Sequence, residues 1–381
     1  MPDKIYKGSP NLKAANVEMS FTPEQVQEWI KCADDPVYFT RNYIKIVSLD
    51  EGLVPFKMWD FQEDMINRFH TNRFNIAKLP RQTGKSTTVV SYLLHYAIFN
   101  DNVNIGILAN KLTTSRELLG RLQLAYENLP KWMQQGIVSW NKGSLELENG
   151  SKIMAASTSS SAVRGMSFNI IFLDEFAFVP THIAEQFFSS VYPTISSGKS
   201  TKVIIISTPN GMNMFYKLWH DAERGKNEYV TTEVHWSQVP GRDAKWKEQT
   251  IANTSQRQFT QEFECEFLGS VDTLIAASKL RTMVYDDPIT NNNKGLVVYE
   301  NPQKEHDYIV TVDVARGVGS DYSAFLVFDI TKFPYRLVAR YRNNEIKAIM
   351  FPTIITDIAK GYNKAYVLTE VNDIGDQVAS M

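Results

Sequence analysis

The chain has 381 residues, 43% hydrophobic and 22% charged, with a formal net charge of −2 and two cysteines. This is the composition of an ordinary globular α/β protein large enough for two domains, and two cysteines exclude a disulfide framework. The near-balanced charge argues neither for nor against nucleic acid, because acidic surface elsewhere can offset a basic groove. No uncharged apolar run reaches the ~18 residues of a spanning helix, and MPDKIYKGSPNLK lacks the apolar core of a signal peptide. Cys32 and Cys265 read as packing residues in a reducing compartment.

Residues 1–20 are polar and irregular and read as a loose arm. A helix starts at Thr22-Pro23, with Gln25 completing a capping box and Val26, Trp29, Ile30 and Ala33 on one face. LVPFKMWDFQEDMINRFH reads as a second helix ending near His70. Strands then alternate with helices: strand 73–78, helix 85–99, strand 103–109 and helix 112–129. A hairpin over 143–157 turns at Asn149-Gly150, and buried strands follow at 169–174 and 201–208. Apolar, β-branched strands separated by helices predict a parallel sheet covered on both faces. Residues 245–285 read as helical, and the polar, Asn-rich DDPITNNNKG (286–295) reads as a linker. A second strand set follows at 306–314, 322–330, 336–341 and 365–370, with a helix at about 350–361. There is no internal repeat.

KLPRQTGKST (78–87) joins a strand to a helix. Successive backbone amides in such a loop, together with the positive end of the following helix, converge on a phosphate. Gln82, Thr83 and Gly84 lie in that loop and Thr87 in the first turn after it. Gly84 allows close approach, Lys85 would reach the β- and γ-phosphates of ATP, and Ser86 would hold Mg²⁺. Leu79 stands where such loops usually carry glycine. NIIFLDEF delivers Asp174 and Glu175 at a strand end, 89 residues after Lys85 (174 − 85). Asp174 suits Mg²⁺ binding and Glu175 suits polarising an attacking water. Ser207 and Thr208, at the tip of the next strand, could sense the γ-phosphate or simply lead into the Pro-Asn-Gly turn. An extra strand between loop and acid pair, with a catalytic glutamate, is the pattern of ATP-driven motors.

In YIVTVDVARGVGSDYSAFLVFDI, Asp313 interrupts an apolar strand. A buried carboxylate there would need a metal or a cation, since leaving it unpaired costs several kcal/mol. Asp321 follows the turn, as a metal auxiliary or a plain turn aspartate, and Glu370 ends the strand YVLTE. Acids on the first and on a later neighbouring strand suggest an RNase H-like nuclease with two metal ions, Mg²⁺ or Mn²⁺, about 4 Å apart.

In this order, LPRQTGKST, SSSAVRGMSFNIIFLDEFAF, IIISTPNGMNMFYKLW and QEFECEFLG resemble the large terminase subunit of tailed bacteriophages, nearest the contractile-tailed type. The resemblance covers most of residues 20–381 and implies an ATPase motor that pumps double-stranded viral DNA into a procapsid, with a nuclease that cuts it. It implies Gln62 on the adenine side of the nucleotide, where a helix-surface glutamine is the alternative. It makes Arg81 an arginine acting on the nucleotide within one subunit. Arg164 becomes a finger offered to the neighbouring subunit of a ring, a plain salt bridge being the alternative. A guanidinium at the γ-phosphate is worth ~10³–10⁵ in rate. Lys85, Ser86, Asp174 and Glu175 match the phosphate, Mg²⁺ and catalytic positions, and Ser207-Thr208 matches the coupling motif, with Ile206 departing from its threonine run. Asp313 and Glu370 match nuclease metal ligands and Asp321 an auxiliary acid. The family's third acid lies beyond Glu370, so the expectation is a truncated nuclease that cleaves poorly.

The expected architecture is a P-loop ATPase with an additional central strand, followed by the RNase H-like unit. Its boundaries are 1–55 (arm and helical subdomain), 56–240 (ATPase core), 241–285 (helical subdomain), 286–305 (linker) and 306–381 (nuclease). The resemblance implies as partners DNA, the portal protein, the small terminase subunit and further copies of the chain in a ring. The expected location is the host cytoplasm, outside any membrane. A helicase-like remodelling ATPase and a non-catalytic, ATP-set scaffold are the rival readings. RDAKWK (242–247) reads as a solvated basic face rather than a DNA contact.

Overall fold

Runs such as NIGILA, IIFLD and KVIIIS have no polar side to offer water and form strands only if both faces are covered. In the computed structural model, which describes residues 5–48, 50–159, 166–196, 198–267, 287–292, 295–317, 319, 321–372 and 374–381, they do so. The chain divides into two units, Met1–Leu280 and Arg281–Met381.

The first unit is built on an eight-stranded sheet. Its order is Val230–Glu233, Phe74–Lys78, Lys202–Ser207, Ile170–Asp174, Asn104–Ala109, Lys152–Ser157, Ser144–Leu147 and Ile137–Trp140. The first six strands are mutually parallel and the last two antiparallel. The strand lying in space between the phosphate-loop strand and the Asp174 strand is Lys202–Ser207, which follows both in the chain. Its register sets Lys78 opposite Ser207 and Asp174 opposite Ile206, so loop, acid pair and Ser207-Thr208 emerge at one sheet edge. Helices Lys85–Phe99 and Leu112–Glu127 bury Tyr92, Leu93, Leu119 and Tyr126 in one core.

Several expectations shift. The capping box at Thr22 forms, but Val26 and Ile30 of that helix remain exposed while Cys32 is fully buried. The span 53–70 is not one helix: Gly52–Pro55 pairs antiparallel with Lys45–Ser48, and the helix is Asp60–Thr71. Pro55 explains this, since it lacks an amide and drives Val54 to extended backbone. Nor is the described part of the arm, from residue 5, loose. Leu12 is buried, Ala14 bridges Ile137, and Lys13 pairs with Glu148 at 2.9 Å. Glu148 also accepts from the amides of Gly136 (2.6 Å) and Asn16 (3.0 Å). Hydrogen bonds to a charged group contribute ~1.5–3 kcal/mol, so Glu148→Ala should lower the unfolding free energy by about 2 kcal/mol in urea titration. The helical span 245–285 breaks into Ala244–Asn253 and Gln256–Glu262, with Ser255 capping the second, and 268–286 lie outside the described residues.

The second unit carries a six-stranded sheet ordered Thr290–Asn291, Leu296–Val298, Arg336–Asn343, Ser323–Asp329, Tyr308–Asp313 and Tyr366–Thr369. All pairs are antiparallel except the last. Residues 286–305 are therefore more than a linker, because two of these strands lie within them. Helix Phe351–Gly361 buries Phe351, Ile355 and Ala359 with Tyr308, Val310, Val312 and Phe325. Among the described residues no helix is long and apolar enough to cross a membrane.

Candidate active site

The loop after strand Phe74–Lys78 begins with Leu79, which is fully buried and donates its amide to the Ser207 carbonyl at 3.3 Å. An apolar residue replaces the usual glycine because this position belongs to the core. Gln82 and Gly84 adopt left-handed backbone, φ 58° and 67°. A Cβ on Gly84 would sit 2.6 Å from the Gln62 amide nitrogen, so glycine is required there.

Each carbonyl from Pro80 to Gly84 has a donor. Thr83 Oγ1 serves Pro80 at 3.0 Å, and Arg242 Nη2 serves Arg81 at 3.0 Å and Gln82 at 3.2 Å. Gln62 Nε2 serves Thr83 at 2.9 Å and the Thr88 amide serves Gly84 at 3.0 Å. By contrast, the amides of Gln82, Thr83, Gly84, Lys85 and Ser86 have no acceptor among the described residues. Lys85 Nζ is buried 3.0 Å from Glu175 Oε1, close enough for an ion pair but without hydrogen-bond alignment. Unpaired amides at a helix N-terminus beside a buried ammonium fit an anion of the size of a phosphate group.

Asp174 ends its strand fully enclosed, and Ser86 Oγ donates to both its oxygens at 3.3 Å. Burial, and then the charge of Glu175, push Asp174 up to about 6. A hydroxyl and a carboxylate in contact form a donor set suited to Mg²⁺. Glu175 is held in left-handed backbone, φ 49°, a strained setting for a non-glycine residue. Its Oε2 accepts from Thr208 Oγ1 at 3.3 Å and Ser207 Oγ at 3.5 Å. One carboxylate thus touches the loop lysine with one oxygen and the tip of the adjoining strand with the other.

Gln62 is no surface glutamine: it is buried, its Oε1 accepting from the Trp59 amide at 2.9 Å while its amide holds Thr83. Thr87 is partly buried in the first turn of helix Lys85–Phe99. Arg81 points its Nε to Glu262 at 3.0 Å and gives its backbone amide to the Glu262 carbonyl at 3.0 Å. Arg164 lies outside the described residues. Sequence reasoning missed Arg242 and Glu262 as loop neighbours. Arg242 is 161 positions from Arg81 and no local pattern signals the contact. Both cysteines are buried, with burial pushing each thiol up to about 12, as packing residues would be.

In the second unit the argument from burial fails. Asp313, Asp321 and Glu370 are all exposed. Strand parity is the reason: Tyr308, Val310 and Val312 face the helix, which puts Ile309, Thr311 and Asp313 on the other face. Asp313 and Glu370 nonetheless close together, because the Glu370 amide donates to the Val312 carbonyl at 3.0 Å and both acids line one open cavity of 600 Å³. Asp321 is not among the residues lining that cavity. Among the described residues no group of three or more acidic, His or Cys side chains is arranged to hold a metal.

A parallel sheet with a strand inserted between phosphate loop and acid pair, joined to a second sheet of RNase H-like character, defines a P-loop ATPase fold fused to a nuclease fold. The chain belongs to the large terminase subunit family of tailed bacteriophages. The family described as terminase large subunit, T4likevirus-type, N-terminal, matches residues 76–282, and the terminase RNaseH-like domain matches residues 310–381. The chain is 25% identical over 232 residues to the terminase large subunit of Thermus virus P23-45 and 23% identical over 232 residues to that of Thermus phage G20c. Each match covers 57% of this chain and 45% of the relative, so the chain spans about half the length of the curated relatives it matches. The crystal structure of the HK97 bacteriophage large terminase shares the fold, with a TM-score of 0.56 at 14% identity over 88% of this chain and 73% of that one.

Proposed function

We propose that this chain hydrolyses ATP at the 79–87 loop and uses the energy to move double-stranded viral DNA into a procapsid. The observation that carries the reading is Glu175, shared between Lys85 and the Ser207-Thr208 strand tip. The amides of Gln82 to Ser86 and the Lys85 ammonium bind the phosphates. Gln62 supports the loop from the base side, and Ser86 and Asp174 are the residues that would hold Mg²⁺. Bound there, Mg²⁺ supplies positive charge against the negative charge that develops on the phosphate oxygens. Glu175 orients and polarises the attacking water, and Ser207-Thr208, hydrogen-bonded to it, carry its position into the central sheet. Arg81 and Arg164 supply guanidinium charge, the second from a neighbouring copy in a ring.

In this reading the partners are duplex DNA, a portal and a small terminase subunit, in the host cytoplasm. Asp313 and Glu370 are the residues that would hold Mg²⁺ or Mn²⁺ in the second unit. Among the described residues Asp313 and Glu370 are the acids that line one cavity, and no cleavage step belongs to this reading.

The test is ATP turnover by the full chain with and without duplex DNA and portal. Stimulation is expected to fall steeply with salt, as phosphate contacts release counterions. Turnover indifferent to both partners would refute the motor. Gly84→Ala should weaken ATP binding by about tenfold or more, since an alanine in left-handed backbone costs ~1–2 kcal/mol and its Cβ displaces Gln62. Equilibrium titration with a fluorescent ATP analogue checks it.

A further inference from the structure

The RDAKWK stretch, read as a solvated basic face, does something else. A turn closed by the Arg242 amide on the Val239 carbonyl at 3.1 Å presents Arg242 to the back of the phosphate loop. Its guanidinium lies over Trp246, 4.7 Å from the ring centre, and 5.5 Å from that of Phe263. The platform is itself fixed: Asp243 caps the helix through the Trp246 amide at 2.8 Å, and Trp246 stacks on Trp236 at 5.8 Å. Lys247, the other end of the stretch, pairs with Glu264 at 2.7 Å.

Amides converging on an anion force the intervening carbonyls outward, where each needs a donor. Pro80, Thr83 and Gly84 find theirs from Thr83 itself, Gln62 and Thr88. The carbonyls of Arg81 and Gln82 depend on Arg242. Gln82 is also the non-glycine residue of the loop in left-handed backbone, which persists only where its surroundings hold it.

We propose that Arg242 is a positioning residue of the ATPase site, keeping the loop amides converged before nucleotide arrives by gripping the Arg81 and Gln82 carbonyls from an aromatic platform. The proposal rests on the ATP reading above. Losing the grip leaves the bound geometry attainable but makes binding order the loop, which weakens ground state and transition state alike.

The experiment compares full-length wild type, Arg242→Ala and Arg242→Lys in steady-state ATPase assays, fluorescent-ATP titration and thermal melts. Arg242→Ala should raise KM and Kd for ATP by about tenfold, the worth of a charged hydrogen bond, with kcat within about threefold. Arg242→Lys, whose ammonium has a shorter reach and no planar face to lie on Trp246, should fold like wild type and still raise KM by about threefold or more. Wild-type KM in either folded variant, or a fall in kcat at unchanged KM, overturns the proposal. Should Arg242→Ala fail to fold, Arg242→Lys decides by the same criterion. A wild-type chain that neither binds nor turns over ATP refutes the ATP reading instead, which separates the two failures.

Discussion

Glu175→Gln should lower steady-state ATP hydrolysis by about 10²–10⁴-fold, the usual contribution of a positioned acid–base group, while ATP affinity stays the same or tightens. Glutamine keeps the shape and can still meet Ser207 and Thr208, but it cannot draw a proton from water. Affinity should not fall, because Lys85, now 3.0 Å from a carboxylate oxygen, loses a competing anion and becomes freer to bind phosphate. Phosphate release at saturating Mg²⁺-ATP measures the first effect and equilibrium titration the second. Equal turnover by variant and wild type would remove Glu175 from the mechanism.

The second large effect is on stability. Asp329 ends a strand of the second unit buried, and accepts from His306 Nδ1 at 2.7 Å, the Thr331 amide at 3.0 Å and Arg336 Nη2 at 3.1 Å. Burial alone would raise its pKa. The hydrogen bonds from Thr331, His306 and Arg336 outweigh that and hold the carboxyl well below the usual range. Breaking a buried pair costs ~3–5 kcal/mol. Since His306 and Arg336 are partly exposed, Asp329→Ala should cost about 3 kcal/mol. The folded pKa lies below the unfolded value of about 3.9. The stabilisation is therefore complete above that value and is lost as pH falls through the folded one. Urea titrations of wild type and variant at pH 7 should differ by this amount, and the gap should narrow as the pH drops below about 4.

Much of the first unit was legible because its strands are unbroken apolar runs and its loop and acid pair are contiguous. The Asn149-Gly150 hairpin was equally plain, with Gly150 at φ 79°. What escaped was set by partners remote in sequence. The 137–140 and 230–233 strands are too short to show a period, and the arm is ordered by Glu148, more than a hundred residues away. Asp313 misled because an acid in an apolar strand was read as buried, whereas parity puts it on the uncovered face. The buried role of Gln62 showed no local sign, since its partner Thr83 lies 21 positions on. The strand beside both loop and acid pair is Lys202–Ser207, which chain order does not reveal because it follows both.

That neighbour gives the pairing of Lys85 and Glu175 a further meaning. One carboxylate oxygen of Glu175 lies against an ammonium and the other against two hydroxyls. On the proposed reading, an arriving phosphate competes for the lysine and releases one oxygen of the acid for water. On that reading the same exchange changes the load on the hydroxyls at the tip of the central strand.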